Sequence, residues 1–217
     1  MATDLRSRYV PKEINPIRHD APGDVKSMPS PTKMHHVHIY SDTNYDAMVE
    51  FYKKLFNADV VNVTYFGPNK TTFLTYDDHD HRVIIIKRPG WGVRQEKQVG
   101  VSHLAFGYAS LGELMFVLKR MLEYGYPKPP YCVNHGNSTS LYWLDPDGNQ
   151  VETMADNYAP QQCQDYKRHF QFTEEFGEMK DSEFDPEKML ALYESGIPDT
   201  ILMDREQVMR LRKEGKL

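Results

Sequence analysis

Three side chains in this sequence have the types and spacing of a metal-binding set. Nine histidines occur among the 217 residues, and seven of them fall between positions 35 and 135. His36 and His103 lie 67 residues apart, each in a segment with the alternating pattern of a strand. Glu152 stands in the apolar run 151–154 directly after a turn, where its carboxylate is expected to face inward. A buried carboxylate is costly unless it is paired, and a metal ion would pair it.

The chemistry of such a set is that of a mononuclear oxygen-activating centre. Two histidines and one carboxylate with open coordination positions form the facial triad of non-haem Fe(II) oxygenases. The same donors also suit Mn(II), so the residues alone leave the choice between these metals open. Ile85, 67 residues before Glu152, supplies no fourth ligand. His38 shares a strand face with His36 and is the alternative ligand.

The elements that must position these residues occur twice along the chain. The apolar spacing predicts strands and one helix in the order βαβββ, at residues 34–41, 44–56 (the helix), 60–65, 71–76 and 82–87. The same order follows at residues 101–108, 111–124 (the helix), 131–133, 140–144 and 150–154. A repeated unit is itself a fold signal, and pseudo-symmetry would bring His36 and His103 together. We therefore predict an α+β fold with a catalytic domain at residues 34–158, built from tandem modules at 34–90 and 100–158.

The two ends of the chain lie outside the repeat. Residues 1–33 hold five prolines and no apolar periodicity, which predicts an extended N-terminal arm. Residues 159–217 form a C-terminal extension with short helices, predicted after Asp185-Pro186 and after Asp204. The sequence leaves open whether this extension packs on the domain or on a partner subunit.

Composition excludes several classes of protein. With 26 basic and 31 acidic residues the net charge is -5, which favours neither nucleic acid nor an anionic membrane as partner. The longest apolar runs are strand-sized, far below the 18 or so residues of a membrane-spanning helix. The N-terminal residues lack the apolar stretch of a secretory signal, so we expect a cytoplasmic protein. Two cysteines are too few for a disulfide framework.

Three segments carry a resemblance to a known family. They begin at His36 (His-Val-His-Ile), at Ser102 (Ser-His-Leu-Ala-Phe) and at Tyr142 (Tyr-Trp-Leu-Asp-Pro-Asp-Gly-Asn-Gln-Val-Glu). They resemble the vicinal-oxygen-chelate superfamily over about residues 34–158, and are most similar to one-domain type I extradiol ring-cleaving dioxygenases. The resemblance implies a vicinal-oxygen-chelate barrel with Fe(II) held by His36, His103 and Glu152. It also implies a catechol and O₂ as substrates, ring cleavage beside the two hydroxyls, and a homo-oligomer.

The resemblance also suggests three catalytic side chains. His81, before the apolar run 83–86, is similar to the family's acid–base histidine; His79 is the less favoured position for that role. His135 lies in Asn134-His-Gly, which resembles the family's Arg-His-Gly segment at the substrate side, although Asn134 replaces the arginine. Tyr142, ten residues before Glu152, matches the tyrosine that hydrogen-bonds a catechol oxygen.

Other activities of the same superfamily remain as alternatives. A glyoxalase-like lyase usually needs a second glutamate, which is absent at Ile85. An epimerase is a further alternative. A fosfomycin-type transferase shares the set of two histidines and one glutamate, but it does not require His81, His135 and Tyr142. A binding protein of the bleomycin-resistance type needs no metal ligands at all.

Overall fold

Each half of the repeat folds into one helix and four strands, in the predicted order. The computed structural model describes residues 31, 33–92, 94–95 and 99–217. The first module contains β1 (Val37–Ser41), α1 (Tyr45–Phe56), β2 (Asp59–Phe66), β3 (Asn69–Thr75) and β4 (Val83–Lys87). The second contains β5 (His103–Tyr108), α2 (Leu111–Glu123), β6 (Tyr131–Asn134), β7 (Ser138–Leu144) and β8 (Gln150–Asp156). The predicted N-terminal arm lies almost wholly outside the described residues.

The two sheets have the same topology, which confirms the duplication. Their strand orders are β1-β4-β3-β2 and β5-β8-β7-β6, and in each sheet the first strand runs parallel to the last. The registers differ by one residue, since Val37 pairs with Val83 whereas His103 pairs with Gln150. Equivalent positions in the two sheets are therefore only approximately 67 residues apart.

The two helices join the modules through one apolar core. Both helices are amphipathic, and their buried residues belong to a single cluster that spans both sheets. Two hydrogen bonds add to this junction: the Tyr52 hydroxyl donates to the Asp145 carboxylate at 2.9 Å, and the Tyr108 hydroxyl to the Leu55 carbonyl at 2.8 Å. The helices therefore occupy one face of the sheets, and residues 36–217 form one compact unit.

The opposite face of the sheets is the one that carries the candidate chemistry. Val37 and Ile39 of β1 pack against the core, as do Phe106 and Tyr108 of β5. Because side chains alternate along a strand, His38 and His103 point away from the helices. The sequence thus uses one face of each first strand for folding and the other for the site.

The C-terminal extension packs on the second module. It contains α3 (Pro160–His169), a 3₁₀-helix (Met179–Ser182), α4 (Pro186–Glu194), α5 (Asp199–Leu202) and α6 (Arg205–Lys213). Asp185 and Asp204 cap α4 and α6 as predicted, by accepting backbone N–H bonds. The Phe184 N–H donates to the Cys132 carbonyl of β6, and Phe184 is buried in the shared core. Within the described residues, no helix is long and apolar enough to span a membrane.

Candidate active site

A histidine and a buried carboxylate meet on the open face of the second sheet. The His103 Nε2 atom lies 3.0 Å from the Glu152 Oε2 atom. Glu152 is only 5% exposed, as its place in an apolar run predicted, and the strand register sets it beside Ala105 on one side and Tyr142 on the other. The strand pairing of β5, β8 and β7 therefore fixes which groups surround this carboxylate.

Tyr142 and His135 extend this pair into one connected group. The Tyr142 hydroxyl shares a hydrogen bond of 2.9 Å with His135 Nε2, and its ring stands edge-on to His103 with centroids 5.3 Å apart. Burial, and then the negative charge of Glu152, raise the pKa of Tyr142, so the hydroxyl keeps its proton at neutral pH. Burial lowers the pKa of His135 and favours its neutral imidazole, although Glu152 opposes this effect. We call His103, Glu152, Tyr142 and His135 the module-two cluster.

The first module contributes a separate pair, His36 and His81. The His81 Nε2 atom lies 3.2 Å from His36 Nδ1, and His81 Nδ1 lies 2.5 Å from a carboxylate oxygen of Asp80. Phe73 stands edge-on to the His81 ring at 5.6 Å. His79 lies in the preceding turn, where its N–H donates to the Asp77 carboxylate. His81 is thus in contact with a predicted metal ligand.

The three predicted ligands are not gathered into one compact group. Among the described residues, the sets of three possible ligands with all donor atoms within 4.8 Å of one another do not include His36, His103 and Glu152 together. His38 and His103 line a common cavity of about 250 Å³ between β1 and β5. Burial lowers the pKa of His38, with smaller contributions from His36 and Arg88. The complete ligand set remains a prediction, with His38 as its alternative member.

The His103–Glu152 pair fits a divalent metal ion. Neighbouring donor atoms of an octahedral ion with bonds of about 2.1 Å are about 3 Å apart. The observed 3.0 Å between Nε2 and Oε2 equals that spacing, and it is also the length of an ordinary hydrogen-bonded ion pair. Imidazole and carboxylate are donors that Fe(II) and Mn(II) accept. The donor types therefore suit the cofactor expected from the sequence, and their separation is compatible with one.

Asn134 stands where the family has an arginine, but its side chain does not take over the role of that arginine. It is fully buried, donates to the Met203 carbonyl at 2.8 Å and accepts the Gly136 N–H at 2.8 Å. Its side chain therefore shapes the turn that carries His135. Sequence reasoning did not identify Tyr131, whose ring lies 5.2 Å from that of Tyr142. Tyr131 could have been found from the predicted strands, since Tyr131 and Tyr142 pair across the β6–β7 hairpin.

Replacing Tyr142 by phenylalanine tests the hydroxyl alone. The ring contacts with His103 and Tyr131 are kept, while the bond to His135 is lost. Loss of one hydrogen bond in a buried site costs about 1–3 kcal/mol, so we expect kcat/KM for the catechol-type substrate that the sequence resemblance implies to fall about 5- to 150-fold. The measurement is steady-state O₂ uptake. Tyr65→Phe, at a 71% exposed position, is the control. An unchanged kcat/KM in Tyr142→Phe would contradict a catalytic role for the Tyr142 hydroxyl.

The fold and site define a class that comparison with known proteins supports. The family model described as the glyoxalase/bleomycin resistance protein/dioxygenase superfamily matches residues 33–153. The chain belongs to this superfamily and has its vicinal-oxygen-chelate fold. Among solved structures, a glyoxylase/bleomycin resistance protein/dioxygenase domain from Frankia sp. EAN1pec has a TM-score of 0.51 at 17% identity, covering 58% of this chain and 93% of that domain. At this identity the structural likeness supports the fold alone.

Within the superfamily, the chain is similar to two dioxygenases of Rhodococcus globerulus. It is 34% identical to biphenyl-2,3-diol 1,2-dioxygenase 3 over 177 residues, which cover 80% of this chain and 89% of the relative. It is 32% identical to biphenyl-2,3-diol 1,2-dioxygenase 2 over 134 residues, covering 61% and 67%. The first match extends well beyond the residues that the family model covers.

Proposed function

We propose that this protein is an extradiol ring-cleaving dioxygenase that inserts O₂ into a catechol-type diol beside its hydroxyls. The observation that carries the proposal is the module-two cluster: a histidine–carboxylate pair with a hydrogen-bonded tyrosine and histidine beside it. A glyoxalase-type lyase usually needs a second glutamate, and Ile85 stands 67 residues before Glu152 instead. The similarity to two biphenyl-2,3-diol dioxygenases supports the same reaction class.

In this proposal His36, His103 and Glu152 hold one Fe(II), and Mn(II) suits the same donors. When bound, the metal supplies Lewis-acid and template chemistry for the diol and O₂. Ring opening incorporates both oxygen atoms and yields a semialdehyde acid, so no further reductant is needed. A cytoplasmic location and a homo-oligomeric state complete the proposal and rest on the sequence.

The protein's own side chains then bind the diol and move protons. Tyr142 keeps its proton and donates to one catechol oxygen, and neutral His135 orients that hydroxyl through its Nε2 atom. The Asp80 carboxylate holds a proton on His81 Nδ1 and leaves Nε2 as the atom that exchanges a proton in the site. His81 is the general acid–base residue of this proposal.

The test is a panel of catechols, including biphenyl-2,3-diol, added to iron-loaded protein. Enzyme and diol are mixed anaerobically, O₂ is admitted, and O₂ uptake is compared with formation of the yellow ring-fission product. One O₂ consumed for each product formed is the expected result. Stoichiometric metal without O₂ uptake on any diol would favour another metalloenzyme of the superfamily, and absence of metal binding would favour a binding protein.

A further inference from the structure

The turn that carries His135 is held by groups from outside the β6–β7 hairpin. The backbone carbonyls of residues 134 to 137 each accept a hydrogen bond. Their donors are Ser182 Oγ to Asn134 at 2.8 Å, Gln171 Nε2 to His135 at 3.2 Å, Asn157 Nδ2 to Gly136 at 2.8 Å, and the Asn157 N–H to Asn137 at 2.9 Å. Two of these donors, Ser182 and Gln171, belong to the C-terminal extension.

The extension also fits closely against the shape of this turn. Gly136 adopts a φ of +86°, a conformation that other residues rarely accept. A Cβ atom at Gly136 would lie within 2.2 Å of the Tyr166 hydroxyl of α3. The Met203 carbonyl, from the end of α5, accepts the Asn134 amide. Four separate parts of the extension therefore contact three consecutive residues of the turn.

We propose that the C-terminal extension is a part of the active site, with Gln171 as the positioning residue for His135. The proposal rests on the proposed function, in which His135 orients the Tyr142 hydroxyl. Gln171 donates directly to the backbone of His135, and the ring of His135 bonds to Tyr142 at 2.9 Å. A catalytic group must be held within about 0.5 Å of its productive position.

The two ends of the Gln171 amide are in different situations: Nε2 donates to the His135 carbonyl, whereas Oε1 is unpaired among the described residues. Gln171 is 8% exposed, and its Oε1 atom is buried without a hydrogen-bond partner in the part of the chain that the structure describes. A methionine of similar size would remove the unpaired Oε1 atom but would leave the His135 carbonyl without the donor that Gln171 supplies. The amide is better explained by the bond that its Nε2 atom makes to His135.

The variant that tests this is Gln171→Met, which keeps the length of the side chain and removes the donor. Gln161→Met is the matched control, since Gln161 is exposed on α3 and bonds only to Asp165 among the described contacts. For iron-loaded protein with catechol, we expect kcat to fall about 10- to 100-fold in Gln171→Met, because small displacements of a catalytic group have effects of that order. Iron content should match that of the control, whereas loss of the buried bond to the His135 carbonyl should lower the midpoint of thermal unfolding.

A second measurement is independent of catechol turnover. In the full-length chain labelled with ¹⁵N-histidine, before iron is added, the ring nitrogens of His135 should report one fixed neutral tautomer. Gln171→Met should give averaged shifts from a mobile ring, whereas Gln161→Met should leave the spectrum unchanged. The His135 signals are assigned by their loss in His135→Asn.

These two measurements distinguish failure of the positioning role of Gln171 from failure of the proposed dioxygenase function. An unchanged His135 spectrum together with an unchanged kcat in Gln171→Met would overturn the positioning role. A changed spectrum in a protein that cleaves no catechol would instead overturn the proposed function and retain the contact. If Gln171→Met does not fold, Ser182→Ala removes the donor to the neighbouring Asn134 carbonyl and should change the same signals. Unchanged signals in that variant would also contradict the proposal.

Discussion

Replacement of Glu152 by alanine is expected to abolish stoichiometric iron binding and, with it, all ring cleavage. Glu152 is the buried member of the predicted ligand set and already lies 3.0 Å from His103 Nε2. Its loss removes the only negative charge of that set, so the remaining imidazoles hold a divalent cation poorly. His103→Ala and His36→Ala should each lose iron as well. The measurement is iron bound per chain after anaerobic loading and desalting.

Two histidines elsewhere in the chain sharpen this experiment. His169→Ala, at an exposed position on α3, should keep its iron and serves as the control. His38→Ala decides between His38 on β1 and His36 just before it, because His38 and His103 line a common cavity whereas His36 contacts His81. Full iron binding in His36→Ala with loss in His38→Ala would reassign the ligand. Iron retained at unchanged affinity by all three alanine variants at positions 36, 103 and 152 would contradict the metal centre itself.

The modular fold could be predicted because its signal is local. Apolar residues repeat at helical spacing in α1 and α2 and alternate in the strands that flank them, so element type and order follow from periodicity. The ends of the elements depend on pairing instead. β1 begins at Val37, where its pairing with β4 begins, and not at Met34. β2 extends to Phe66 along β3.

Helix α3 shows where periodicity fails. Pro160–His169 buries none of its residues fully, so it has no apolar stripe by which it could be predicted. Its Gln162 side chain bonds back to the Ala159 N–H, and Tyr166 packs beside the turn at Gly136. The contact between Tyr166 and Gly136 joins residues far apart in sequence and leaves no repeating pattern.

The same distinction explains which parts of the site could be predicted. Tyr142 and Glu152 face each other across the β7–β8 hairpin, a local arrangement that their spacing already indicates. The placement of His36 relative to His103 depends on how two modules pack. The registers of the two sheets differ by one residue, so sequence spacing alone does not decide between His36 and His38. The bond from Gln171 to His135 depends on the folded extension and has no sequence signal.

His81→Ala is expected to keep its iron and still bind a catechol, while turnover falls by about 10²–10⁴-fold, the usual contribution of general acid–base catalysis. His81 has the contacts of a proton-transfer group: Asp80 at Nδ1, and Nε2 directed at His36, with Phe73 against the ring. Removing it leaves the module-two cluster and the imidazole of His36 in place, so the loss should appear in kcat rather than in iron content. His79→Ala is the matched control, two residues away in the same turn.

The measurement is a single-turnover reaction in which the anaerobic enzyme–catechol complex is mixed with O₂ and ring fission is followed by absorbance. Iron content and diol affinity are determined beforehand for each variant, so that a slow reaction is assigned to proton transfer and not to an empty site. Asp80→Asn should give a smaller decrease, because the imidazole remains but loses the carboxylate beside Nδ1. Near-wild-type ring-fission rates in His81→Ala would reject the assignment. A loss confined to His79→Ala would transfer the acid–base role to that residue.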